Sequence, residues 1–201
     1  MDNTYTNKNI CLYSYNSRGF SEDKQDICKI LMCMTGDNLP ILCNQENFLL
    51  NNNGYKIRQC LPQSHIFFKQ AIKDSIQGRP MNGMFIAVPN SIKENIQDVS
   101  PSHWRVQAII VRTLTSNILV INSYLPTDPK LRDFDASEVL TTLSAINDVI
   151  NDNEFDNLIW TGDLNADFSR NTTFVKLLTE FIDTKDLIKS WDKFPIDFTR
   201  C

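Results

Sequence analysis

A chain of 201 residues, 42% hydrophobic and 22% charged, is long enough for one sizeable core and short for two, so a single domain is expected over residues 1–201. The polar start, residues 1–9, has no apolar signal segment, and no later apolar run reaches the length of a membrane span, so nothing supports secretion or membrane insertion and an intracellular protein is expected. The formal charge of −4 argues against a surface that clings to nucleic acid throughout, yet residues 41–130 carry nine Lys/Arg against five Asp/Glu and residues 131–201 seven against fourteen, so the middle of the chain could supply either a phosphate-facing rim or a plain solvated face.

Residues 10–15 read as a strand broken by Asn16-Ser17-Arg18-Gly19. Ser21 then caps a helix with Glu22 and Asp23 in its first turn, an apolar stripe of Ile27, Ile30, Leu31 and Met34, and Gly36 at its end. Residues 39–43 form a second buried strand that runs into Asn44-Gln45-Glu46-Asn47. Strand, polar turn, helix, strand, polar turn is the order of an α/β layered domain with its site at the strand ends. After the turn Asn51-Asn52-Asn53-Gly54, residues 56–68 are expected to hold irregular strands. The loop Gly78-Arg79-Pro80-Met81-Asn82-Gly83 leads into a strand at 84–88, and residues 89–101 are polar and turn-rich. Residues 106–111 and 118–121 read as paired strands joined around Ser116-Asn117. A helix follows over 136–150, with Val139, Leu143, Ile146 and Ile150 on its apolar face, and another carries Phe174, Leu177, Leu178, Phe181 and Ile182. The 6 cysteines lack paired C-x-x-C spacing, which favours free thiols in a reducing compartment over disulfides or zinc.

Between those two helices, Leu158-Ile159-Trp160 reads as a buried strand ending at Gly162, followed by Asp163-Leu164-Asn165-Ala166-Asp167. On an extended backbone Asp163 and Asn165 point to one face and Leu164 to the other. An ionised acceptor beside a carboxamide suits holding a phosphate and aiming a water at it; a polar turn would use the same residues. Four strand exits thus carry polar side chains: Asn16, Glu46, Asn122 with Tyr124, and Asp163 with Asn165.

Taken together, Tyr15-Asn16-Ser17-Arg18-Gly19, Gln45-Glu46, Gly78-Arg79-Pro80, Asn122-Ser123-Tyr124-Leu125-Pro126, Gly162-Asp163-Leu164-Asn165-Ala166-Asp167 and Asp197-Phe198-Thr199 resemble the endonuclease/exonuclease/phosphatase superfamily. Its DNase-I-like fold is shared by abasic-site endonucleases, inositol polyphosphate phosphatases and LINE-type retrotransposon endonucleases, and the resemblance is closest to the last. The resemblance implies an α/β fold, a four-layered sandwich of two mostly antiparallel sheets flanked by helices. It implies Mg²⁺ or Mn²⁺ held chiefly by Glu46 with Asn16 close by, Tyr124 at the scissile phosphate or leaving oxygen, and Asp163 orienting or deprotonating the attacking water. Asn165 would hydrogen-bond a non-bridging phosphate oxygen, with Asn122 and Tyr124 also in the substrate site. His65 and His103 do not follow the family's terminal pattern and are read as structural or surface residues.

Family members close with an Asp-rich strand and a Ser-Asp-His stretch, and neither is present here. The expectation is therefore a nuclease domain lacking its last C-terminal strands and weakly active or inactive as it stands. The function implied is a divalent-metal-dependent phosphodiesterase that nicks DNA in the nucleus, as a retroelement endonuclease does and within a reverse-transcriptase polyprotein as one arrangement. The alternatives left open are a phosphatase of inositol phosphates or a related phosphoester, and a non-catalytic remnant that only binds nucleic acid.

Overall fold

The computed structural model of the chain describes residues 9–34, 36, 38–73, 78–127, 136–189 and 192. The Asp197-Phe198-Thr199 stretch and Cys201 lie outside them. In the first of two four-stranded sheets, β1 (Ile10–Asn16) runs parallel to β2 (Leu39–Gln45), β2 antiparallel to β4 (Met84–Pro89), and β4 antiparallel to β3 (Ser64–Lys69). In the second, β5 (Ile96–Asp98), β6 (Val106–Arg112) and β7 (Asn117–Tyr124) are antiparallel neighbours, and β8 (Asn157–Asp163) runs parallel to β7.

Strand alternation makes the four layers. Ile41, Cys43, Ile86 and Val88 point inward from the first sheet and meet Ile109, Val111 and Val120 of the second. The intervening residues Leu42, Phe85 and Ala87 point outward onto α1 (Glu22–Cys33) and α2 (Tyr55–Cys60). Ala108, Ile110, Leu119 and Ile121 do the same on the other side, against α3 (Ser137–Asn151) and α4 (Thr173–Thr184). Both faces of the central strands are dry, which is why they read as unbroken apolar runs. Each such Leu, Ile or Phe contributes about 1.5–3 kcal/mol on burial. The fold class is the sandwich expected from the sequence.

Several local expectations change. In α1 the buried residue is Cys28, flanked by Leu31 and Met32, while Ile30 and Met34 are exposed. Two overlapping stripes existed in the sequence, and the i, i+3, i+4 set at 28, 31 and 32 is the one that reaches Leu42 and Phe85. Ser21 stands at the N-cap, but its hydroxyl donates to the Asp23 carboxylate and its oxygen accepts no backbone N–H of the helix. Residues 56–68 are not irregular strands: a 3₁₀ turn at Asn51–Asn53 runs into α2, which buries Ile57 and Cys60 before β3 begins. Within 89–101, the short edge strand β5 and a 3₁₀ helix (Asn90–Asn95) were not foreseen. Cys11, Cys28, Cys33, Cys43 and Cys60 are free thiols; burial raises Cys28 to about 12 and also raises Cys43 and Cys60. Among the described residues no helix is long and apolar enough to cross a membrane.

Candidate active site

The inward face changes from apolar to polar at one end of the sandwich. On β1, Ile10 and Leu12 pack between the sheets, so period-2 alternation brings Ser14 and Asn16 to the same face. On β2, Ile41 and Cys43 are followed by Gln45, and on β7, Val120 is followed by Asn122 and Tyr124. Leu158 and Trp160 of β8 turn toward the helices, which directs Asp163 inward. All four strands end here because the pairs β1–β2 and β7–β8 are parallel.

The floor is a buried amide network. Gln45 Nε2 donates to Asn122 Oδ1 at 2.6 Å and to Ser14 Oγ at 3.2 Å, while Asn122 Nδ2 donates to Asn44 O at 3.2 Å. Asn122 is 0% exposed, so the substrate contact expected of it is replaced by a bond between the two sheets. It lies one inward position short of the strand end, where the neighbouring strand still covers it.

Above the floor, Asn16 Nδ2 donates to Glu46 Oε2 at 2.8 Å and to Asp163 Oδ2 at 2.7 Å, and its Oδ1 accepts the Arg18 N–H at 3.0 Å. The Tyr124 hydroxyl interacts with both Glu46 and Asn165, and its pKa is pushed up to about 12, first by burial and then by the bond to the Glu46 carboxylate and its charge. Tyr124 is therefore a neutral hydroxyl near pH 7. Asn16, Glu46, Tyr124, Asp163 and Asn165 thus meet in one cluster. Asn165 does not reach it by strand alternation: β8 ends at Asp163, Asn165 has φ +49°, and its N–H donates to Asp163 Oδ1 at 3.0 Å. An Asx turn folds the chain back, and Asn165 Nδ2 donates to Leu125 O at 2.8 Å.

Among the described residues, five of the six non-Gly residues with positive φ lie in these loops: Arg18 (+47°), Glu46 (+55°), Phe48 (+58°), Asn82 (+64°) and Asn165 (+49°). Each such conformation costs on the order of 1–3 kcal/mol and persists where the surroundings over-determine it. Here Gly19 N–H donates to Glu46 O at 2.7 Å, Asn47 N–H to Gly83 O at 3.1 Å and Phe48 N–H to Asn82 O at 2.8 Å. Gly162 has φ +130° inside β8, and a Cβ there would lie 1.9 Å from Ser123 O. Its role is this close approach of β7 and β8, beyond the turn expected from the sequence.

Sequence reading missed Arg105. Its Nε and Nη2 donate to Glu138 Oε1 at 2.9 and 2.6 Å, and its Nη1 donates to Tyr124 O at 3.2 Å. The guanidinium lies 4.0 Å from the Trp104 ring centroid and 5.2 Å from that of Tyr124. No spacing pattern announces a lone Arg ahead of a strand whose partner is 33 residues away. His65 lies exposed on β3 and His103 is half-buried, with Nδ1 accepting from Arg105 N–H at 3.3 Å.

The donor chemistry fits one class of metal. Among the described residues no group of three or more His, Cys, Asp or Glu could hold an ion, which disfavours a zinc-type site of nitrogen and sulfur ligands. Two carboxylates bridged by one amide suit a hard cation that keeps several waters, so Mg²⁺ or Mn²⁺ fits with Glu46 as its residue and Asp163 near. Asn16 turns its nitrogen to the carboxylates, leaving the oxygen a metal would use on Arg18 N–H.

No protein-family model matches the chain, and no curated protein is similar to it in sequence. Solved structures are similar in fold. An AP endonuclease from Leishmania major superposes with a TM-score of 0.65 at 13% identity over 94% of this chain and 70% of its own. The endonuclease domain of TRAS1, a telomere-specific non-LTR retrotransposon, gives 0.59 at 11% identity over 88% of this chain and 71% of its own. A 3′ phosphatase, NExo, from Neisseria, bound to a product DNA hairpin, gives 0.58 at 19% identity over 87% and 70%.

Proposed function

From the premise that the chain has the DNase-I-like fold of the endonuclease/exonuclease/phosphatase superfamily, we propose that it is a divalent-metal-dependent phosphodiesterase that nicks DNA. The observation that carries this reading is the bridge from Asn16 Nδ2 to Glu46 and Asp163, which holds two carboxylates from opposite sheets beside a neutral Tyr124 hydroxyl. The solved structures of similar fold that are named for an AP endonuclease and a retrotransposon endonuclease support a nucleic-acid substrate of that kind.

Each residue has a chemical task in this reading. Asp163 takes or orients the proton of the attacking water, fixed by the Asn16 bond on Oδ2 and the Asn165 N–H on Oδ1. In this reading Asn165 and Tyr124 turn the hydrogens that link Asn165, Tyr124 and Glu46 in the free site toward the substrate, Asn165 to a non-bridging phosphate oxygen and Tyr124 to the leaving oxygen or the phosphate. Asn16 keeps the two carboxylates together against their repulsion. Glu46 would hold Mg²⁺ or Mn²⁺, which when bound would neutralise negative charge on the phosphate.

Nicking of supercoiled plasmid with Mg²⁺, lost on chelation and in Glu46→Ala and Asp163→Ala, is the expected result. Plasmid that stays intact with wild-type protein and metal rejects the reading. A second reading, removal of a terminal phosphate from DNA, is favoured by the Neisseria structure named as a 3′ phosphatase; release of inorganic phosphate from a 3′-phosphorylated oligonucleotide without plasmid nicking is its signature.

A further inference from the structure

Phe48 is two residues beyond Glu46 and holds φ +58°, a conformation a bulky side chain adopts only when its surroundings impose it. Two contacts impose it. Its N–H donates to Asn82 O at 2.8 Å, and its ring lies against Gly19, where an added Cβ would stand 3.7 Å from Cδ2. Gly19 in turn donates to Glu46 O, so the ring is tied to the backbone that carries the candidate metal-holding carboxylate. The guanidinium of Arg79 lies 5.1 Å from the centroid of the Phe48 ring. Arg79 is exposed, and among the described residues no carboxylate pairs with it.

A guanidinium held over a ring face loses little freedom when it binds, and it keeps N–H donors free for a further partner. One with no carboxylate partner among the described residues, beside a phosphodiester site, is matched by a second phosphate. We propose that Phe48 and Arg79 form a phosphate subsite for a nucleotide flanking the scissile one. Its ligand class is a polynucleotide backbone, so it favours a strand over a substrate with a single phosphate. This rests on the nuclease reading above.

The test is binding of a fluorescein-labelled 20-base-pair duplex by the whole chain, read by anisotropy from 50 to 200 mM KCl with chelator present so that nothing is cut. Removing one phosphate contact reduces the salt slope of log K by about 0.9, and a lost charge-assisted bond lowers affinity about tenfold. Arg79→Ala is expected to show both. Arg79→Lys keeps the slope and recovers only part of the affinity, because an ammonium does not lie flat on the ring. Lys93→Ala, at the opposite end of β4, keeps the wild-type slope. An Arg79→Ala slope equal to wild type, or an equal fall in Lys93→Ala, overturns the subsite. Wild-type protein that binds no duplex at any salt overturns the nuclease reading itself, and the subsite falls with it. Unchanged melting temperatures across the set confirm that folding is not the variable.

Discussion

One side-chain nitrogen, Nδ2 of Asn16 at the end of β1, donates to Glu46 Oε2 at 2.8 Å and to Asp163 Oδ2 at 2.7 Å, and so joins carboxylates carried by the two different sheets. Without it two negative charges would face each other unshielded. Asn16→Ala is expected to lower the nicking rate by about 10²–10³. Asn16→Asp adds a third carboxylate and should lower the melting temperature further than Asn16→Ala does. Plasmid nicking and thermal melts at pH 7 check both.

Glu46 and Asp163 have different tasks, and conservative variants should separate them. Glu46→Gln weakens metal holding, so activity is expected to recover partly as Mg²⁺ is raised. Asp163→Asn removes the proton acceptor and should cost about 10²–10⁴ at every Mg²⁺ concentration. Metal titrations of single-turnover cleavage give the comparison; equal recovery in the two variants would contradict the assignment.

Gln45 and Asn122 join the sheets in a fully buried bond of 2.6 Å. Asn122→Leu removes the shortest acceptor of Gln45, which keeps Ser14 Oγ and Cys43 O, and takes the Asn122 donor from the buried Asn44 carbonyl, at a cost of about 1–3 kcal/mol. Urea unfolding should show a lower midpoint with an unchanged slope.

Gly162→Ala is expected to be the most damaging single methyl in the molecule. The added Cβ falls 1.9 Å from Ser123 O, a backbone atom that cannot swing aside, and φ +130° is closed to alanine. We expect a loss of about 4 kcal/mol or more, seen as insoluble protein or a collapsed melting temperature. A normal melt would refute the register of β7 on β8.

Tyr124 gives a pH signature. Its folded pKa is raised to about 12 from the ordinary tyrosine value of 10.0, so the unfolded chain ionises first. The stability it contributes is therefore complete below pH 10 and is lost between about pH 10 and 12. Between pH 9 and 11 the wild-type melting temperature should fall more steeply than that of Tyr124→Phe, while buried thiols such as Cys28 affect both alike. Parallel slopes would remove Tyr124 from its contact with Glu46.

What the sequence determined by itself is the kind of each element and the placement of its polar ends. Apolar runs of three to six residues broken by Asn, Gly and Asp mark strands buried on both faces, because a dry strand carries few polar side chains until it emerges. The amphipathic helices α3 and α4 follow from 3.6-residue spacing in the same way. That physics is local, and it exposed Asn16, Glu46, Tyr124, Asp163 and Asn165 as strand-exit residues. What only the tertiary structure decided is which side chains meet. Asn16 and Asp163 are 147 residues apart and Gln45 and Asn122 are 77 apart, and no local period encodes such pairings. The same holds for Asn122, a strand-exit residue by pattern and a buried tie by position, and for Asn165, which an Asx turn and not strand alternation carries to Tyr124. Arg105 is the clearest case: its guanidinium is held by Glu138, Trp104 and Tyr124 at once, and only the packing of β6 and β7 against α3 brings those three groups together.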